Sequence, residues 1–239
     1  MNPRLALAAA GCALALAGPA RAEPTPTDQV VAAERAFVAD GKARCFPESF
    51  KKTASADAIL CRPGPVNAQA NRAKIPSHPP KPEDPVLAWG PLWEGAARSG
   101  DLGFTTGAAT YGDRPISHYF TVRKKQADGG WKWQFDGGQD ATDPSPFGPD
   151  TDPVLLPAAT ASAGSADKAM AQVKAAEDAL AAGARANVAS AYRSMLSEHA
   201  RTIGWTAPAS EGPFAYSEAL SRRAGAIDFK TLGGEASKA

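Results

Sequence analysis

Three closely spaced runs of β character between Asp101 and Asp136 constrain the fold more than any other part of the sequence. Asp101 to Tyr111, Ser117 to Gln126 and Trp131 to Asp136 each read as a strand. Asp128-Gly129-Gly130, between the last two, reads as a hairpin turn. A period of two puts His118, Phe120 and Val122 on one face of the middle strand and Tyr119 and Thr121 on the other. Trp131, Trp133 and Phe135 share a face by the same rule and read as core. Arg123, Lys124 and Lys125 mark a solvated strand end.

Helices precede these strands. Residues 25 to 43 read as one, with Thr25 as its cap, Pro26 at its first position, and Val30, Ala33, Phe37 and Gly41 at helical spacing on one face. A short helix covers Pro47 to Lys52, and Ala58 to Arg62 reads as a strand stopped by Pro63-Gly64-Pro65. Residues 76 to 91 are proline-rich and read as an ordered loop or lid. Two helices followed by strands give an α+β domain with a curved antiparallel sheet over residues 28–138.

Residues 139–165 read as a Pro/Ala/Gly-rich linker that holds neither a helix nor a central strand. Beyond it Val30-Val31-Ala32-Ala33-Glu34-Arg35-Ala36 returns as Val173-Lys174-Ala175-Ala176-Glu177-Asp178-Ala179. Residues 166–239 therefore read as an incomplete, mostly helical second copy, loosely packed because alanine and glycine dominate its first part. Two unrelated alanine-rich amphipathic helices are the alternative.

Residues 1–22 have the form of a signal peptide. Arg4 is the basic residue, Leu5 to Ala17 the apolar stretch, and Ala20-Arg21-Ala22 the cleavage site. The expectation is export to the periplasm or beyond. The apolar run is too short to span a bilayer, and no second one is long enough. With 26 basic against 25 acidic residues, the chain carries no electrostatic footprint for nucleic acid. Cys45 and Cys61 would remain after cleavage and form either a disulfide or two buried thiols. No cluster of metal ligands stands out, and no cofactor motif occurs.

The run Ala33-Glu34-Arg35-Ala36-Phe37, the segment Ala58 to Ala68, Ser99 to Gly107, and Trp131 to Gly138 together resemble exported bacterial members of the nuclear transport factor 2-like superfamily. The nearest group has no known function and is related to ketosteroid isomerases and SnoaL-like cyclases. The resemblance implies a cone: a bent sheet wrapped against helices, with a pocket at its open end. The catalytic trio of the isomerases, an Asp base with a Tyr and an acid donor, has no clear place here; Asp57 reads as a turn or strand-opening residue.

Candidates for lining the implied pocket are His118, Asp136, Arg62, Trp89, Trp93 and Phe120. His118 suits a general base or a carbonyl anchor, or else a structural role within the sheet. Asp136 suits a pocket carboxylate, or a turn residue binding the Gly137 and Gly138 amides. Arg62 suits an anionic ligand, or a pairing with Asp136. Trp89 and Trp93 suit the roof of a hydrophobic pocket, or plain core. Three functions follow: a non-catalytic module for a small apolar ligand, a dimerising module whose sheet face is the interface, and an isomerase- or cyclase-like acid-base enzyme. The sequence leaves catalysis open.

Overall fold

The computed structural model describes residues 23–61, 64–79, 81, 83–140, 152–197, 200–202, 210–211, 220 and 225–237. The leader and Arg62 lie outside the described residues. Helix α1 runs Pro26–Ala43 and starts at a capping box, in which the Thr25 side chain accepts from the Asp28 amide and the Asp28 carboxylate accepts from the Thr25 amide. These bonds satisfy donors that a helix start otherwise leaves open. Helix α2 (Phe46–Thr53) follows after a two-residue break.

Strand β1 (Ala54–Cys61) is longer than the sequence suggests and takes in Ser55 and Asp57. Strand β2 (Pro65–Asn67) and helix α3 (Ala68–Arg72) come next. Leu87–Ala96 is a full strand, β3, where the sequence reading gave a loop as far as residue 91. Its prolines and glycines hid it; Pro91 is accommodated where the β3 register shifts, which frees the ring from a regular ladder position. Strands β4 (Leu102–Tyr111), β5 (Arg114–Lys125) and β6 (Trp131–Asp140) form the expected meander. Gly129 closes the β5–β6 turn with φ of 83°, a conformation that glycine adopts without strain.

The sheet has the order β2-β1-β6-β5-β4-β3-β7, where β7 is Val154–Leu155. It is mixed, because β1 runs parallel to β6 and β7 parallel to β3. The expected cone with a curled antiparallel sheet is therefore incorrect: the sheet is open, with β2 and β7 as separate edges. Proline blunts both edges. Pro65 begins β2 and Pro153 immediately precedes β7, and neither has an N–H to donate to a further strand. The expected linker thus contains an edge strand, and β6 runs four residues past Asp136 to Asp140.

Helix α1 packs on β3 and β4, burying Val30, Glu34, Phe37 and Val38. Phe37 lies edge-on to Phe50 at 4.7 Å and to Trp89 at 4.9 Å, and Phe50 meets Trp133 at 5.9 Å. These aromatic contacts form the core between the two helices and the sheet.

Helices α4 (Ala166–Ala184) and α5 (Val188–Arg193) make a small core of their own from Ala184, Val188 and Ala191. The segment 225–237 runs back along α4 and reaches the main sheet through Lys124–Glu235 at 2.7 Å and Ser99···Ser237 at 2.6 Å. Positions matched by the suggested repeat differ in burial: Val30 is 0% exposed, Val173 48%. Strands β8 (Arg201–Thr202) and β9 (Ser210–Glu211) form a separate two-stranded ladder.

Candidate functional site

Residues that face the helices on β5 are Tyr119, Thr121 and Arg123, each paired with core-facing positions on β4 and β6. Between this face, α2 and α3 lies a cavity of about 280 Å³. Phe46, Phe50, Leu87, Trp89 and Ile116 give it apolar walls, and Arg72, Ser117, Tyr119 and Asp136 supply the polar groups. Cavities of this kind, mostly apolar with a few convergent polar atoms, are the usual form of small-molecule sites.

Tyr119 is 6% exposed, and its hydroxyl is fully enclosed, beside Thr105 and near Glu34. Burial first, and then the Glu34 charge, holds that hydroxyl well above the ordinary phenol range; Arg123 and Thr105 oppose this only in part. It is a neutral donor at any physiological pH. Asp136 accepts from the Thr121 hydroxyl at 2.7 Å. It lies within β6 and not at a terminal turn, because the strand continues beyond it. The Arg72 guanidinium stacks over the Phe50 ring at 4.3 Å.

Beneath the cavity floor lies a buried ionic network. Glu34 accepts from the Trp89 indole at 2.7 Å, from the Arg123 guanidinium at 3.0 Å and from the Thr105 hydroxyl. Trp89 is therefore a cavity wall whose ring is fixed from below. Arg123, expected at a solvated strand end, is 1% exposed. It continues the alternation of Tyr119 and Thr121 toward α1, where its carboxylate partner Glu34 lies. A bulge on β6 between Trp133 and Phe135 puts Trp133 on the core side and Phe135 on the outer side, so the expected single face of Trp131, Trp133 and Phe135 is not formed.

The other sequence candidates are scattered. Trp89 and Asp136 line the cavity. His118 is buried, but it alternates with Tyr119 and sits on the opposite face, in register with Ala108 and Gln139. Phe120 shares that outer face, stacked on Phe104 at 5.5 Å. Trp93 pairs with Thr106, whose partner on β5 is Phe120, and so belongs to the outer face as well. Cys45 and Cys61 are free thiols; Cys45 precedes α2, and Cys61 lies on β1 against Gly137, so the candidate disulfide is not formed. Sequence reading missed Tyr119, Ser117 and Arg72. It also passed over Glu34, although Glu34 lies four residues from Val30 and seven from Gly41 on the apolar face, a visible signal.

No group of three or more His, Cys, Asp or Glu residues that could hold a metal occurs among the described residues. None of their helices is long and apolar enough to cross a membrane.

No known family profile matches the chain, and no curated protein does. Solved structures do show similarity. A protein provisionally described as a ketosteroid isomerase, from Parabacteroides distasonis, is 14% identical with a TM-score of 0.36, over 47% of this chain and 85% of its own. An LEH-like epoxide hydrolase from M. tuberculosis is 12% identical with a TM-score of 0.31, over 48% of this chain and 85% of its own. An NTF-2 like protein of unknown function from Burkholderia xenovorans is 18% identical with a TM-score of 0.30, over 54% of this chain and 88% of its own. Values this low assign neither family nor activity to this chain.

Proposed function

We propose that this chain binds a small molecule with an apolar body and one hydrogen-bond acceptor in the cavity between α2, α3 and the sheet, as a member of the nuclear transport factor 2-like group. The observation that carries this reading is the aromatic-walled cavity itself, with Tyr119 and Asp136 among the few polar residues that line it. A ligand acceptor that reached the Tyr119 hydroxyl would add a hydrogen bond worth about 1 kcal/mol. The leader supports a place of action outside the cytoplasm.

A suitable probe is 2-acetylnaphthalene, whose carbonyl would meet Tyr119, with naphthalene as control. Calorimetry should show Tyr119→Phe weakening the ketone about tenfold, a typical hydrogen bond's worth, and leaving naphthalene unchanged. Equal loss for both, or loss for neither, would count against the reading.

One observation favours a second reading, an acid-base enzyme. Asp136 lines the same cavity as Tyr119, so a carboxylate and a neutral donor flank one space. That pair suits removal of a proton adjacent to a carbonyl, with the phenol stabilising the enolate oxygen. Exchange of the acetyl methyl protons of bound 2-acetylnaphthalene with deuterated water, followed by NMR, tests it. The enzyme reading requires exchange that Asp136→Asn abolishes; the absence of exchange leaves the binding reading alone.

A further inference from the structure

A second cavity, of about 460 Å³, adjoins the first. It lies between the C-terminal end of α1, the start of α2 and the proline-rich segment leading to β3. Phe46 and Pro47 line both cavities, so the two meet across the first turn of α2. Phe46 can occupy this partition only because residue 41 is glycine: a Cβ there would stand 2.3 Å from its ring. The walls near the partition are apolar, from Ile75, Pro76 and Val86, but the rim is charged. Lys42 and Lys81 both line it, both are exposed, and neither forms an ion pair among the described residues. Among the described residues one acid lines it, Asp84, which accepts from the Lys81 backbone amide at 2.9 Å, so its charge is held at the base of the loop.

We propose that the outer cavity is the polar half of the same binding site, and that the ligand is an elongated amphipathic anion: an acceptor at its inner end meets Tyr119, and a carboxylate or comparable anionic group at its outer end lies between Lys42 and Lys81. This rests on the reading of the inner cavity given above and adds the charge and length of the ligand. Two ammonium groups around an apolar mouth favour an anion and disfavour a cation, and their exposure makes the preference sensitive to salt. His78, on the same rim, adds to the preference when protonated.

The probe is 6-acetyl-2-naphthoate, compared with its neutral amide, 6-acetyl-2-naphthamide, and with 2-naphthoate, which lacks the ketone. Equilibrium dialysis at low salt should give the full probe about a fivefold advantage over the amide, the scale of an exposed charge contact. The Lys42→Gln/Lys81→Gln double variant should erase that advantage, and so should high salt, while the advantage over 2-naphthoate stays. Both lysines are exposed, so the variant is expected to fold. Equal binding of acid and amide by the wild type, or a preference that survives the double variant, overturns this proposal and leaves the inner-cavity reading intact. A full probe that binds no better than 2-naphthoate overturns the inner-cavity reading, and this proposal with it.

Discussion

The indole nitrogen of Trp89 and the carboxylate of Glu34 meet at 2.7 Å with both side chains buried, and the Arg123 guanidinium holds the same carboxylate at 3.0 Å. This three-way contact joins β3, α1 and β5. It should therefore respond sharply to loss of its centre. Glu34→Ala leaves a buried guanidinium without its counter-ion and should destabilise the fold by about 3–5 kcal/mol in urea unfolding. A loss below about 1 kcal/mol would show the network to be incidental.

Glu94 gives stability an unusual pH dependence. Both its carboxylate oxygens are buried without hydrogen-bond partners among the described residues, facing the Asp28, Glu34 and Arg35 side of α1. Burial first, and the Asp28 charge next, raises its pKa from 4.5 to about 7. Below pH 4.5 both folded and unfolded states hold the proton. Between 4.5 and 7 only the folded state keeps it, so stability falls as pH rises through this window and levels off above it. The total is on the order of 3 kcal/mol. Urea unfolding from pH 4.5 to 8.5 should show this decline in the wild type and a flatter profile in Glu94→Gln. Identical profiles would mean that Glu94 is ionised or solvated in the folded protein.

Much of the fold was legible in the sequence, and the reasons it was not legible elsewhere are local. The Thr25 cap and the β5–β6 turn could be read because capping and turn chemistry are set within a few residues. The β3 strand could not, because Pro91 and the adjoining glycines signal a loop unless a neighbouring strand supplies a bulge to hold them. Strict alternation placed His118 correctly opposite Tyr119 but could not say which face the helices cover. The bulge on β6 between Trp133 and Phe135 then put those two residues on opposite faces, which alternation alone does not show. Asp136 and Trp89 were visible as candidates. Tyr119 was not, because a tyrosine between His118 and Phe120 gives no sign of where its hydroxyl lies.

Gly107 marks a close approach of β4 to β3. A Cβ at this position would stand 2.0 Å from the Gly90 carbonyl oxygen, which is backbone and cannot swing away. Gly107→Ala should force the two strands apart and cost several kcal/mol, on the scale of severe overpacking (~1–3 kcal/mol or more). Gly129→Ala, where no atom stands within 4 Å, provides the contrast: it should cost less, through its φ of 83° alone. Equal losses measured by thermal unfolding would contradict the assigned β3–β4 spacing.

The helical pair α4–α5 should contribute little to the stability of the main sheet. Its fully buried residues are Ala184, Val188 and Ala191, with Leu180, Tyr192 and Ile227 only partly buried around them, and it reaches the sheet mainly through exposed polar contacts such as Lys124–Glu235. Limited proteolysis should yield a resistant fragment that includes β1 to β7 while α4 is cut. Equal protection of α4 would show that it is packed more firmly than its exposed Val173 suggests.

The central claim is that a ligand acceptor meets the Tyr119 hydroxyl inside the inner cavity. The infrared carbonyl band of ¹³C-labelled 2-acetylnaphthalene bound to the protein reports this contact directly. A hydrogen bond from a neutral phenol should lower the carbonyl frequency in the wild type, and the band should return to its apolar-solvent position in Tyr119→Phe. A band that is the same in both proteins would mean that the bound carbonyl does not touch Tyr119, and the account of this site would be wrong.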